Sequence, residues 1–226
     1  MPGASNPPRR EQGWSALGHP RPVRDAVAHV EATNRIAEMR KASLSVTDMT
    51  AAISLGVMKM TDALEKAFNH QVTREFEASM VYRQLAIALD EMDLPGMAAW
   101  LRHQADEEIV HANKLIDHLG DRGNHARIGN IAAAELEVTS ALQAFEFALA
   151  HEQKVSQAIR DLFRESENND DLDSRPLLNW FLSEQIEEEA TVSQIIGRLK
   201  FIDGDGPGLL RLDAELGARP VKTTEV

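Results

Sequence analysis

The stretch Asp106-Glu107-Glu108-Ile109-Val110-His111 decides how this chain is read. In a helix, Glu108 and His111 leave one face a single turn apart. That spacing suits a carboxylate and an imidazole sharing a metal ion, with the acid free to bridge a second. An isolated E-x-x-H recurs freely among helices and settles nothing by itself. Its surroundings give it weight. Met97, Leu101, Ala105, Ala112, Leu115 and Leu119 recur at helical period, and Glu108 falls inside that apolar stripe. An ionised carboxylate on a buried face is costly unless a cation or a hydrogen-bonding partner compensates it.

Working outward, the sequence predicts a long helix beginning after Thr61-Asp62 and running to about Glu91. Leu64, Phe68, Gln71, Glu75, Ala78, Tyr82, Leu85 and Leu89 lie along one of its faces. Asp93-Leu94-Pro95-Gly96 reads as a short turn, so the next helix, ending near Leu119, returns antiparallel. Glycines and asparagines from Gly120 to Asn130 mark a long connection. A third helix is expected from Glu137 to Glu167, with Leu142, Phe145, Leu149, Glu152, Ile159 and Phe163 facing inward. A fourth is expected from Leu172 to Phe201, carrying Leu178, Phe181, Leu182, Gln185, Glu188, Val192, Ile196 and Leu199. After the glycine-rich stretch Asp203 to Gly208, a short fifth helix from Leu209 to Leu216 closes the chain. Two short turns and one long connection describe an all-α four-helix bundle with one crossover.

Each long helix is interrupted at mid-length by a polar residue in its apolar stripe: Glu75, Glu108, Glu152, and Gln185 with Glu188. These lie about fourteen residues, or ~20 Å, from their helix starts. Mid-helix positions meet at one level of a bundle whichever way neighbours run, so four carboxylates and His111 share one buried layer. They would repel and partly protonate there unless cations sat among them. Oxygen-rich ligation with a single imidazole suits Fe or Mn better than structural Zn. His70, His103, His118, His125 and His151 lack a matched partner and are expected at surfaces or interfaces, while Trp100 reads as packing.

Composition narrows the function. The 226 residues are 43% hydrophobic and 27% charged, enough for a real core. A net charge of −12 leaves no basic surplus for phosphate backbones, so nucleic acid is an unsuitable partner. No cysteine is present, which excludes disulfides and thiolate chemistry and fits a reducing, cytoplasmic setting. No apolar run reaches membrane-spanning length. Residues 1–57 differ from the rest: they are rich in proline and arginine and net basic, whereas 58–226 carry the acidity. Val23, Val27 and Val30 hint at a short helix in an otherwise disordered extension, and Met58 or Met60 offers an alternative start. A docking segment is a further reading. Arg9-Arg10 is followed by no apolar core, so an export signal is not expected.

Four ordered stretches resemble the non-haem bacterial ferritins, of the ferritin-like diiron family. They are Asn69-His70-Gln71-Val72-Thr73-Arg74-Glu75-Phe76-Glu77-Ala78-Ser79-Met80-Val81-Tyr82, Gln104 to Ala112, Ala150-His151-Glu152, and Trp180 to Glu189. The resemblance runs from about Met60 to Arg219 and leaves the extension uncovered. It implies that Glu75 and His111 bind a first iron, Glu108 bridges, and Glu152 and Glu188 bind a second with Gln185 beside it, two irons per subunit. Glu107, Glu184 and Glu187 match a third iron site of some members. Tyr82 matches a tyrosine close to the diiron centre, and Trp180 a neighbouring tryptophan. It further implies ferroxidase activity with dioxygen or peroxide, iron homeostasis as the role, and a ferric mineral stored in a 24-subunit cage.

Departures from neighbouring families sharpen this. Bacterioferritin has a second E-x-x-H where Gln185 and Glu188 stand, and a haem-binding Met where Ile109 stands, so no haem is expected. Rubrerythrin-like proteins add a cysteine-rich module that this chain lacks. Two other classes remain open at this point: a non-cage diiron oxidase of organic substrates, and a helical adaptor directed by the extension.

Overall fold

The computed structural model of the chain describes residues 59–132 and 136–218. The extension and the short helix expected around Val23 to Val30 lie outside the described residues. Among those described there are five helices and no strand: α1 (Asp62–Glu91), α2 (Pro95–Asp121), α3 (Ala141–Asn168), α4 (Arg175–Ile202) and α5 (Gly206–Gly217). The four long helices hold 27 to 30 residues, about 40–45 Å at the standard helical rise. None is long and apolar enough to cross a membrane.

Boundaries follow local chemistry. Thr61 caps α1, its hydroxyl accepting from the Leu64 amide. The turn to α2 uses Asp93 in the left-handed region at φ 58°, while Pro95 and Gly96 already belong to the first turn of α2. Proline fits there because that position needs no N–H donor. α3 starts at Ala141 rather than the expected Glu137, because Ser140 caps it and the Gln143 side chain reaches back to the Thr139 amide at 2.8 Å. α4 starts at Arg175 rather than Leu172, with Pro176 in its first turn. Leu172, the expected first residue, is 61% exposed and precedes the helix. α5 begins three residues early, at Gly206, where Asp205 accepts from the Gly208 amide.

The face of α3 also differs from expectation. Ala144, Phe145, Ala148, Val155, Ser156 and Ile159 are buried, whereas Leu142, Leu149 and Phe163 pack at its margins. Leu182 on α4 is likewise only partly buried.

The start of α1 meets the end of α3, Thr61 Oγ1 donating to Asn169 Oδ1 at 2.6 Å. α1 and α3 are thus antiparallel, and α2 and α3 run the same way, which requires the long crossover. That crossover is held along α1 by residues one turn apart. Glu65 accepts from Asn124 Nδ2 at 2.6 Å, Asn69 accepts from the Arg127 amide at 2.6 Å, and Thr73 accepts from the Gly129 amide at 2.9 Å. At the far end of α2, Arg122 is buried against Asp171 (2.8 Å) and Ser174 (3.3 Å), and His118 Nε2 lies 2.8 Å from Ser174 Oγ. His118 therefore sits half-buried in a clamp on the α3–α4 turn, not at the surface.

α5 packs against α2. The start of α2 has no side-chain cap of its own; Asp213 supplies one from α5, accepting from the Met97 amide at 2.7 Å. A Cβ on Gly96 would lie 1.9 Å from the Asp213 carbonyl oxygen, and one on Gly217 2.8 Å from Gly96 Cα. Only glycine permits that approach. Asp213→Ala strips the cap from a buried amide and is expected to cost about 1–3 kcal/mol. Gly96→Ala, which forces backbone apart, is expected to cost more. Urea unfolding followed by circular dichroism measures both; equal midpoints for wild type and Asp213→Ala would refute the cap.

Candidate metal centre

The apolar core is divided. One cluster gathers Tyr82, Leu85, Leu101, Trp100, Phe145, Val192 and Leu212. The other gathers Leu64, Phe68, Leu115, Ile159, Leu178 and Phe181. Between them lies a polar layer of Gln71, Glu75, Glu108, His111, Glu152, Gln185 and Glu188, each at most 5% exposed. One residue or pair comes from the middle of every long helix, as the interrupted stripes predict.

Within the layer, ligand-type atoms converge in three groups whose members lie within 4.8 Å of one another: Glu75, Glu108 and His111; Glu108, Glu152 and Glu188; and His111, Glu184 and Glu188. Glu108 belongs to both of the first two. His111 Nδ1 is 3.3 Å from Glu108 Oε2, and His111 Nε2 is 4.0 Å from Glu188 Oε1. Edges of Trp180 and Phe181 pack at the imidazole, with centroid separations of 5.5 and 5.7 Å, and fix its plane. Lys114 covers the outer face of Trp180 at 4.9 Å.

Hydrogen bonds orient the acids. Tyr82 Oη donates to Glu152 Oε1 at 2.5 Å, and Gln185 Nε2 donates to Glu152 Oε2 at 3.2 Å. Gln71 Nε2 donates to Glu75 Oε1 at 2.7 Å. Ser156 Oγ lies 3.1 Å from Gln185 Oε1 and also contacts Glu189 Oε1, its one proton serving one of them at a time. Neither Gln71 nor Ser156 was assigned a role from sequence. The signal was present: each stands four residues from a glutamate of the layer, one turn along the same helix.

Of the residues matched to a third iron site, Glu184 joins His111 and Glu188, while Glu107 and Glu187 belong to none of the three groups. His151, next to Glu152 in sequence, joins no group either. Burial, then Lys154 and Arg74, pull its pKa down to about 4, so it is neutral near pH 7.

The electrostatics show what the layer lacks. Burial pushes the carboxyls of Glu108 and Glu188 well above the usual range, and neighbouring acids, Glu152 foremost, push the same way. Burial raises Glu152 to about 7 despite the hydrogen bond from Tyr82, which lowers it. Burial and the charge of Glu152 hold the Tyr82 phenol well above its ordinary value. Glu75 Oε2, Glu108 Oε1 and Glu188 Oε2 are buried without a hydrogen-bond partner. Cations among these oxygens would meet both deficits at once, so the donor set fits divalent metal.

Residues 65–202 match the family of the ferritin-like domain. The chain belongs to the ferritin family. It is 36% identical over 160 residues to the bacterial non-heme ferritin of Staphylococcus epidermidis, covering 71% of this chain and 96% of that one. Against the bacterial non-heme ferritin of Escherichia coli O157:H7 the identity is 34% over 159 residues, 70% of this chain and 96% of that one. The fold is similar to an open-pore ferritin from Archaeoglobus fulgidus, with a TM-score of 0.70 and 31% identity over 72% of this chain and 99% of that one. The resemblance read from the four signatures is thus borne out, as is the all-α ferritin-like bundle.

A carboxyl whose folded pKa is raised adds stability at pH below its unfolded value and loses it as pH rises through the folded value. For Glu152 that loss begins at the ordinary carboxyl value of 4.5 and is complete just above pH 7. The metal-free ferritin fold is therefore expected to melt at progressively lower temperature from about pH 5 to about pH 7 and to level off above that. Glu152→Gln should flatten that fall, and so should saturating Mn(II). Parallel melting curves for wild type and Glu152→Gln across the range would contradict the assignment.

Proposed function

We propose that this chain oxidises Fe(II) at the paired site and stores the product as ferric mineral inside a 24-subunit cytoplasmic cage. Family membership supports iron storage. The observation that carries the oxidative step is Glu108, whose carboxylate belongs to two ligand groups at once and can hold two ions side by side. In this reading Glu75 and His111 bind the first Fe(II), and Glu152 and Glu188 bind the second. Gln185 and Tyr82 keep Glu152 turned toward it, and Gln71 does the same for Glu75.

The charge balance supplies the driving force. Four carboxylates offset two divalent ions; after oxidation two positive charges are left over. Anionic ligands stabilise the trivalent ion more than the divalent one, which favours electron loss. The surplus charge then favours hydrolysis and departure of Fe(III) toward the mineral. Two Fe(II) give two electrons to dioxygen, which takes two protons and leaves as hydrogen peroxide; with peroxide as oxidant the same electrons and protons yield two waters. Protons held by Glu108, Glu152 and Glu188 before loading are displaced when iron binds.

An oxidase of organic substrates would need an apolar path to the metals. A groove beside Gln71 carries Arg74, Lys154, Asp161 and Glu165 among its lining residues, which does not favour that alternative.

Aerobic iron loading followed by absorbance compares wild type with Glu75→Ala and Glu108→Ala. Losing a direct ligand should slow the initial rate by more than the roughly 10–100-fold typical of outer-shell changes. Equal initial rates would dispose of the site. Sizing chromatography provides the second test: a particle far larger than the 25.0 kDa chain is expected, and a monomer or dimer would remove the cage.

A further inference from the structure

The α1–α3 side of the bundle carries a groove of about 510 Å³ whose inner wall includes Gln71. That residue is only 2% exposed, yet it lines the groove and donates to Glu75 Oε1 at 2.7 Å. Glu75 itself is fully buried, and its other oxygen has no partner. One amide therefore separates the groove from the metal layer. A glutamine side chain turns about single bonds, and rotamer exchange is fast compared with enzymatic turnover.

The charges on the walls restrict what can use this path. Arg74 adjoins Glu75 in sequence and Lys154 lies two residues from Glu152, so both cations line the groove at the depth of the metal layer. Asp161 and Glu165 stand about two and three turns beyond Lys154 along α3, toward its end. The two signs cancel over the whole groove, which gives no field to gather Fe(II). A cation nearing Glu75 would have to pass the two positive groups, whereas an uncharged molecule meets no such barrier. Amides of Gln71 and Gln157 offer hydrogen bonds on the way.

We propose that this groove is the entry path for the small uncharged oxidant, dioxygen or hydrogen peroxide, with Gln71 as its gate, and that Fe(II) reaches the site by another route. The inference rests on the ferroxidase reading above. It gives the two reactants separate approaches, so oxidant arrival can be altered without touching a metal ligand.

Ala67 on α1 and Ala158 on α3 line the groove from opposite sides, and both are half-buried. Ala67→Trp and Ala158→Trp would each fill it, while Ala67→Ser leaves it open. Circular dichroism and particle size select the variants that fold and assemble as wild type does. Co(II) binding, read anaerobically by absorbance, reports the metal site alone. Stopped-flow oxidation of preloaded Fe(II) is then run separately with dioxygen and with hydrogen peroxide.

The tryptophan variants should bind Co(II) as wild type does and show a second-order rate constant for oxidant lowered by about tenfold or more. The serine variant should match wild type. The arm that slows identifies the molecule that enters, and slowing in both means both use the groove. Unchanged rates in both arms overturn the proposal, and so does Co(II) uptake slowed as much as oxidation, which would make the groove an ion path. Should both tryptophan variants misfold, Ala67→Leu and Ala158→Leu fill less of the groove and carry the same test. A wild-type protein that fails to oxidise Fe(II) with either oxidant would instead sink the ferroxidase reading itself.

Discussion

Mutual repulsion among buried carboxylates is the constraint on which the structure turns. Glu75, Glu108, Glu152 and Glu188 come from four different helices and meet where almost no water reaches. Ionised acids so close together in low dielectric oppose folding, and protonating them is only a partial remedy. The bundle must bring its own counterweight. Part of it is local: the phenol of Tyr82 and the amides of Gln71 and Gln185 each donate a hydrogen bond to a glutamate oxygen. The three oxygens that remain without a donor define what the fold leaves to a ligand. A site that is uncomfortable when empty is one that binds cations well.

Stability therefore comes from either side of the layer. Two separate apolar clusters hold the helices, one around Trp100 and Phe145 and the other around Phe68 and Phe181. Neither needs the acids. The helix ends are then fixed by distant polar ties: the crossover along α1, Arg122 on the α3–α4 turn, and Asp213 on the start of α2. With both ends pinned and both clusters close-packed, the middle can carry unfavourable charge without losing its geometry.

Much of this was legible in one dimension. A carboxylate inside an apolar stripe is visible without coordinates, and every mid-helix interruption that the sequence displayed lies in the polar layer. The stripes of α1 and α2 were read correctly because large side chains carry them. α3 was misread in part, since Ala144 and Ala148 make its contact and small residues announce no face. The start of α4 was set three residues early, at Leu172, which is large and apolar but belongs to the turn before the helix. The start of α3 could have been placed from Ser140 and Gln143, a capping pair that local chemistry explains. The tie from Asp213 to Met97 could not, because its partners stand 116 residues apart and no pattern links them. Gln71 fell between these cases: its spacing was plain, but its bond to Glu75 depends on which rotamer packing allows.

The contact of Gly96 with Gly217 has a mechanical corollary. Backbone touches backbone there, with no compliant side chain between, and α2 is the rod that bears Glu108 and His111. Tension applied past Gly217 reaches that rod through this contact, and α4 through the ion pair of Arg198 with Glu215. A handle fused beyond α5 would act as a lever on the level of Glu108 and His111, whereas one attached at the crossover would pull on a loop.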